Sequence, residues 1–386
     1  MMSSKLNAQI KVPKFGKGIN IVAQDSSFTM KIGYRFQALF QTSRDLDDDL
    51  LSTSNSHNSS FFIRRSRLKF DGWILSPKLK YKAELALSNR DNGGGNGFRF
   101  SNAANFILDA VVEWNFYKNM SIWAGQGKLP GNRERIISSG DLQFVDRSRL
   151  NSRYTLDRDA GIMLKNYSLS GDGFILNQTI SMTSGEGKNI TADNIGGYDY
   201  TFKLEALPFG SLQSKAHNVT SDINKEQKPA VAYDINVGSG RTRGQIGSFS
   251  ADSNSDAVEK NISSIFADLM YKHNGLSVMA GYANRWTPDG PNVYVDGIAD
   301  PIETYYTGTG FNLSVGQMIG DHSEFAIRWT SIHPDEEVDN VENQYTFGYS
   351  QYVVGHKLKV QTDVASRAVE SSDDKLFYKV QVDVHF

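Results

Sequence analysis

Apolar and polar residues alternate with a period of two over long stretches of this chain. Phe28, Met30, Ile32, Tyr34, Phe36, Ala38 and Phe40 form one set; Thr29, Lys31, Gly33, Arg35, Gln37 and Gln41 form the other, with Leu39 the one apolar exception. A strand sends alternate side chains to opposite faces, so one face here is oily and the other charged. The last segment repeats the pattern, with Leu376, Tyr378, Val380, Val382, Val384 and Phe386 against Phe377, Lys379, Gln381, Asp383 and His385. Sixteen such segments are legible, near 28–41, 61–74, 78–89, 104–117, 119–128, 159–168, 173–183, 197–207, 229–238, 262–272, 275–286, 304–317, 323–332, 343–353, 356–366 and 375–386. Most exceed the five or six residues usual in globular sheets, and about ten tilted residues cross a bilayer. The predicted fold is all-β: a single transmembrane antiparallel β-barrel of about 16 strands, with lipid outside and water inside.

The connections alternate in length. Residues 42–60 make a long polar link, Ser76-Pro77 a short one, residues 90–103 a long one, and Lys118 nearly alone a short one. The longest follows the fifth strand, over residues 129–158, and Ser170-Gly171-Asp172 closes the next hairpin. Short turns on one rim and long loops on the other are the asymmetry of an outer-membrane barrel. Residues 210–228 break the rule, because a short turn belongs there. Trp73, Trp114, Phe116 and Tyr271 stand beside short turns, where an aromatic girdle belongs, although cross-strand aromatic pairing gives the same pattern.

Composition changes this picture little. The 386 residues carry 41 basic and 43 acidic side chains, so global charge gives no reason to expect nucleic acid. Cysteine is absent, which removes disulfides and thiolate metal sites. No run approaches the 18 apolar residues of a membrane helix; a barrel strand shows only half its residues to lipid and needs no such run. The domain reading is an N-terminal tail over 1–27 and a barrel over 28–386. Leu6-Asn7-Ala8-Gln9 looks like the end of a signal-peptide cleavage site, making residues up to Ala8 a remnant; the bland alternative is a disordered cytosolic N-terminus.

About sixteen strands leave a wet lumen, and inner-face charges then decide what passes. Alternation assigns fourteen basic residues inward: Lys31, Arg35, Arg65, Arg67, Lys69, Lys80, Lys82, Lys165, Lys203, Lys272, Arg328, Lys357, Lys359 and Lys379. Eleven acids join them: Asp71, Glu84, Asp109, Glu113, Asp199, Glu205, Asp234, Asp268, Glu324, Asp363 and Asp383. Seven of the basic residues and only two of the acids lie on the first three strands, so one wall should be positive and favour anions. The 129–158 segment adds Arg133, Arg135, Arg147, Arg149, Arg153 and Arg158. Folded inward, it would narrow the lumen and offer guanidinium forks to oxyanions; alternatively these arginines brace the loop against Glu134, Asp141, Asp146 and Asp157. Lys128 has the parity of Met120 and Ile122, which are assigned to lipid or a neighbouring subunit, and stays unassigned.

Other chemistries find little support. His57, His217, His273, His322, His333, His356 and His385 are scattered, without a Ser-rich elbow or H-x-x-x-H spacing. Gly93-Gly94-Gly95 lacks the Lys-Ser/Thr of a phosphate loop. No catalytic residue, metal or cofactor is therefore expected. A β-sandwich or adhesin would have shorter strands, and a gated transporter would need a plug domain ahead of residue 28.

Several stretches resemble the phosphate-selective porin O and P family: FIRRSRLKFDGWILSPKLKYKA (62–83), ILDAVVEWNF (107–116), IWAGQGKLPGNRERIISSGDLQFVDRS (122–148), ADLMYKHNGLSVMAGY (267–282), FAIRWTSIHPD (325–335) and GHKLKVQTDV (355–364). The resemblance implies a sixteen-stranded, homotrimeric bacterial outer-membrane porin with passive diffusion of small anions, phosphate or polyphosphate among them. The alternatives it leaves are a general porin for small polar solutes and an outer-membrane barrel enzyme. It implies that the segment after strand five is the inward constriction loop. It also implies that Phe386 belongs to the signal read by the barrel-insertion machinery, and that membrane lipid surrounds the barrel. The residues expected to line the pore and meet anions are Lys31, Arg35, Arg65, Arg67, Lys69, Lys80, Lys82, Arg133 and Arg135, with Arg65, Arg67, Arg133 and Arg135 inside the matching stretches.

Overall fold

The computed structural model describes residues 9–11, 14–46, 58–92, 106–167, 173–190, 197–212, 218–226, 230–242, 250–251, 257–258, 260–294, 299–301 and 303–386. Ala8, His57, Gly93-Gly94-Gly95 and His217 lie outside the described residues, as does the side chain of Asp234. Sixteen long strands follow in chain order: β1 (Phe28–Leu46), β2 (Asn58–Ile74), β3 (Ser76–Ala86), β4 (Ile107–Tyr117), β5 (Met120–Lys128), β6 (Arg158–Asn166), β7 (Ile175–Thr183), β8 (Asp199–Leu207), β9 (Ala230–Thr242), β10 (Lys260–His273), β11 (Leu276–Trp286), β12 (Gly308–Ile319), β13 (Ser323–Pro334), β14 (Glu342–Tyr352), β15 (Leu358–Val369) and β16 (Ser372–His385). Each pairs antiparallel with the next, and β16 pairs antiparallel with β1 in the register Lys379↔Gln41, Val382↔Ala38, His385↔Arg35. The ring is thus closed, and every ladder group has a partner without an open edge. Phe386 completes the seam: its N–H donates to the Tyr34 carbonyl at 3.0 Å and its carbonyl accepts from the Tyr34 N–H at 2.7 Å. Just beyond that seam, Ile19–Val22 pairs with the start of β1.

Polarity runs opposite to that of a water-soluble globule. On β13, Ile327 is 58% exposed and its neighbour Arg328 only 4%. Phe325, Trp329, Tyr345 and Phe347 share the exposed outer face, while Glu324, Thr330 and Thr346 are buried within the ring. The apolar register therefore faces outward, as the alternation predicts. Trp114, Phe116 and Tyr117 are exposed beside the turn at Lys118. Trp73 is not part of an outer girdle; it shares the parity of Lys69 and Asp71 and borders the internal cavity.

Strands run on where polar sequence suggested loop. β1 extends to Leu46 because Asp374 and Lys375 of β16 continue the ladder, with a Lys375–Asp45 ion pair at 3.1 Å. The link between β2 and β3 is Leu75 alone, at φ 62°, instead of Ser76-Pro77.

Two connections turn into the ring. The first, residues 129–157, bonds to inward side chains around most of the circumference. Its Ser139 accepts from Arg35 of β1 at 2.7 Å, Val145 from Arg64 of β2 at 2.8 Å, Leu142 from Lys359 of β15 at 2.5 Å and Tyr154 from Arg285 of β11 at 2.5 Å. The Arg133 N–H donates to Asp268 of β10 at 2.9 Å, and Arg328 of β13 donates to the Asp146 carbonyl at 2.8 Å. Inward glycines on the far wall make room: a Cβ at Gly348 of β14 would stand 2.8 Å from Phe144, and one at Gly310 of β12 would stand 2.7 Å from Leu150. The second belongs to the long link on the short-turn rim, through its described residues 218–226. Thr220 donates its N–H to Asp141 at 3.1 Å and accepts from the Gln143 N–H at 2.7 Å. Lys272 donates to the Ser221 carbonyl at 2.6 Å, and Ser221 bonds His356 at 2.8 Å. This explains the one break in the alternation of link lengths: the segment is long because it reaches the first segment inside the ring.

Candidate functional site

The two inward segments fill the lumen against β10–β15, where Ser264, Asp268, Lys272, Arg285, Glu324, Arg328 and Lys359 are all buried. A cavity of about 870 Å³ remains open along the other wall, bordered by β1–β6 and by the near edge of the 129–157 segment. Fifteen lysine and arginine side chains border it, against seven carboxylates. Positive charge is therefore in surplus around this open space, although the whole chain is close to neutral.

Eight of the nine expected site residues meet here: Lys31, Arg35, Arg65, Arg67, Lys69, Lys80, Lys82 and Arg135. Arg133 does not. Its guanidinium is buried against Glu205 at 2.7 Å, beside a second chamber. A side chain that starts a short helix, Arg133–Ile136, is aimed by the helix and not by strand parity. The cationic groups differ in how far they are neutralised. Arg67 binds Asp91 with both arms, at 2.7 and 2.8 Å, and reaches Glu84 at 3.1 Å. Lys82 pairs with Asp109, Lys69 pairs with Asp71 at 3.0 Å, and Arg135 pairs with Asp157. Arg65 donates to Gln37 at 2.6 Å and comes only within 3.8 Å of Asp91. Lys31 and Lys80 form no ion pair within 4.0 Å among the described residues. Arg147 spends its donors on carbonyls, Glu134 at 2.9 Å and Ile137 at 2.7 Å, so its charge too stands without a carboxylate in contact.

The loop arginines brace and project at once. Arg149 and Arg153 reach across to Glu342 of β14, and Arg158 pairs with Asp109 of β4 at 2.6 Å. In return, Asp146 of the loop takes Arg64 and Lys379 from the wall, the latter at 2.6 Å. Burial alone would raise the Asp146 carboxyl, but Arg64 and Lys379 hold it well below the usual carboxylate range. Asp157 is likewise held low, against burial, by Arg135 and Arg158. Asp141, at the cavity edge, moves the other way: burial raises it, with Lys357, Lys359 and Arg35 opposing.

Alternation missed five further basic residues. Arg64 points inward beside Arg65 because a bulge between Gln37 and Ala38 puts an extra residue into β2. Lys128 borders the cavity although Trp123, five residues earlier, does too; Gly125 at φ 126° breaks the parity between them. Arg285 shares the parity of Ser277 and Gly281, so its signal was present in the sequence. Arg90 and Lys188 border the cavity from the long-loop rim, where period-two reasoning does not apply.

A family model described as phosphate-selective porin O and P matches residues 31–213. An uncharacterized protein of Aquifex aeolicus (strain VF5) is 21% identical over 370 residues, covering 88% of this chain and 84% of the relative. Among solved structures, an anion-selective porin from Comamonas acidovorans superposes with a TM-score of 0.56 at 12% identity, over 93% of this chain and 100% of that one. The in-vitro folded trimer form of OmpT, an outer membrane protein of Vibrio cholerae, gives a TM-score of 0.51 at 10% identity, over 92% and 99%.

Proposed function

We propose that this chain, whose residues 31–213 match the phosphate-selective porin O and P family model, is a porin of the bacterial outer membrane that conducts small inorganic anions by passive diffusion along its β1–β6 wall. The observation that carries this reading is the imbalance of fifteen basic to seven acidic side chains around the cavity of about 870 Å³. A wall of that sign in a narrow, low-dielectric passage raises the local anion concentration and lowers the entry barrier. Lys31, Lys80 and Arg147, which form no ion pair with a carboxylate among the described residues, and Arg65, which only comes within 3.8 Å of one, are groups with charge left for a passing ion. Residues 129–157 act as the constriction, held rigid by reciprocal ion pairs with the walls. Because most other cations are already paired, an anion is attracted without being trapped, as conduction requires.

Family and fold support a channel over an enzyme. The OmpT trimer form supports a homotrimer here, and the exposed aromatic and aliphatic outer face supports lipid contact around it. The paired position of Phe386 on the seam suits a terminal signal for the barrel-insertion machinery. The test is conductance of purified protein in planar bilayers under chloride and phosphate gradients. A reversal potential of anion sign supports the reading, and equal permeability to potassium and chloride would reduce it to a general porin for small polar solutes.

A further inference from the structure

Beside the main cavity lies a second chamber of about 460 Å³ with a different lining. Leu129, Pro130, Ile136, Met163, Ile175 and Leu207 make its surface mostly apolar. Its acid, Glu205, is occupied by Arg133 at 2.7 Å and by Asn177 at 2.7 Å, so that wall does not repel a negatively charged visitor. Lys128, Ile136 and Lys165 border both spaces, so the chamber opens off the conducting path at a cationic threshold. The Lys128 ammonium is committed to the carbonyls of Arg135, Ile136 and Ile137 at 2.8, 3.1 and 3.4 Å. Lys165 bonds Glu113 at 2.8 Å and keeps further ammonium protons to offer.

We propose that this chamber is a binding site for organic anions with one apolar end, the acid group held at Lys165 and the apolar part lodged among Met163, Ile175 and Leu207. The proposal rests on the anion-channel reading and extends it to a solute class that the charged wall alone does not select. A small inorganic ion gains nothing from an apolar recess. An aryl or short alkyl group gains by leaving water, and cavities of about 150 Å³ already admit benzene. Such solutes would dwell in the channel and impede inorganic anion current while they stay.

The test is block of chloride current through the full-length protein in planar bilayers, comparing benzoate with acetate and phenyl phosphate with inorganic phosphate. Within each pair the acid group is the same and only the apolar end differs. Benzoate should reach half-block at about one-tenth the concentration of acetate, the ratio that about 1.4 kcal/mol of apolar transfer provides. Phenyl phosphate should exceed phosphate similarly. Met163→Ser should bring the benzoate-to-acetate ratio to within about twofold, with chloride conductance in the same membranes reporting an inserted barrel. Tyr167→Ser, on an exposed chamber residue, makes the same test where folding is not at stake. Equal block by benzoate and acetate, or an unchanged ratio in Tyr167→Ser and in any Met163→Ser that inserts, overturns the chamber proposal. Loss of chloride over potassium preference would instead refute the anion-channel reading, since the benzoate-to-acetate ratio compares two monoanions.

Discussion

Lys31 is a clean place to ask whether wall charge sets selectivity, because its ammonium has no ion-pair partner among the described residues. One unit charge about 6 Å from a passing monovalent ion is worth roughly 0.7 kcal/mol in water, and the ~10 Å Debye length at ~0.1 M salt reduces this to roughly 0.4 kcal/mol. Lys31→Glu changes the charge by two units and acts with opposite sign on anions and cations. The anion-to-cation permeability ratio should therefore fall by about 1.5 kcal/mol, roughly tenfold. Lys31→Gln, a one-unit change, should lower it by about three- to fourfold. At ~1 M salt, where the Debye length is ~3 Å, the Glu effect should shrink to about twofold. Reversal potentials across fixed potassium chloride gradients measure all three. If Lys31→Glu leaves an open channel with an unchanged ratio, or if Gln and Glu shift it equally, charge on this wall does not act through space and the selectivity argument is wrong. Arg67 would be a poor choice, since reversing it also strips Asp91 and Glu84 of their partner.

The inward segment can be probed from behind. Gly348→Val would drive a side chain into Phe144, and the overpacking cost of roughly 1–3 kcal/mol should loosen the segment, seen as larger, noisier single-channel conductance; steps identical to the parent would refute its seating there. Asp146→Asn should leave Arg64 and Lys379 without their carboxylate and make residues 129–157 more sensitive to protease added to the reconstituted channel. Because burial raises Asp141, its charge is lost on acidification before that of an ordinary carboxyl; the folded state favours its protonated form, so anion preference should rise as pH falls from neutral toward about 4, and Asp141→Asn should flatten that rise. A homotrimer should run as a high-mass band on unheated gels and collapse to the monomer on boiling; a monomer under both conditions speaks against it.

Much of the ring was legible because a bilayer enforces strict alternation: a residue facing lipid must be apolar, and its neighbours turn inward. That logic placed Lys31, Arg35, Lys69 and Lys82 without knowledge of any contact. It failed where the backbone leaves period two, at the bulge that turns Arg64 inward and at Gly125 before Lys128. It was silent on the interior, because docking of loops is a long-range matter of shape. The only local trace was small residues in the inner register, Gly281, Gly310, Gly316 and Gly348, each lying against a side chain of residues 129–157. Arg133 was misplaced for the same reason: a charged residue in a loop carries no parity.

At the seam, Asp383 of the last strand takes Gln37 of the first at 2.7 Å and lies 3.6 Å from Arg35, while Arg35 and Gln37 both reach on to Ser139. The residues that weld the two ends of the sheet together are thus the residues that seat its lining. Damage to the weld is transmitted straight to the passage, and a misplaced lining is felt at the join. Sealing the wall and shaping the hole are, for this molecule, one structural act.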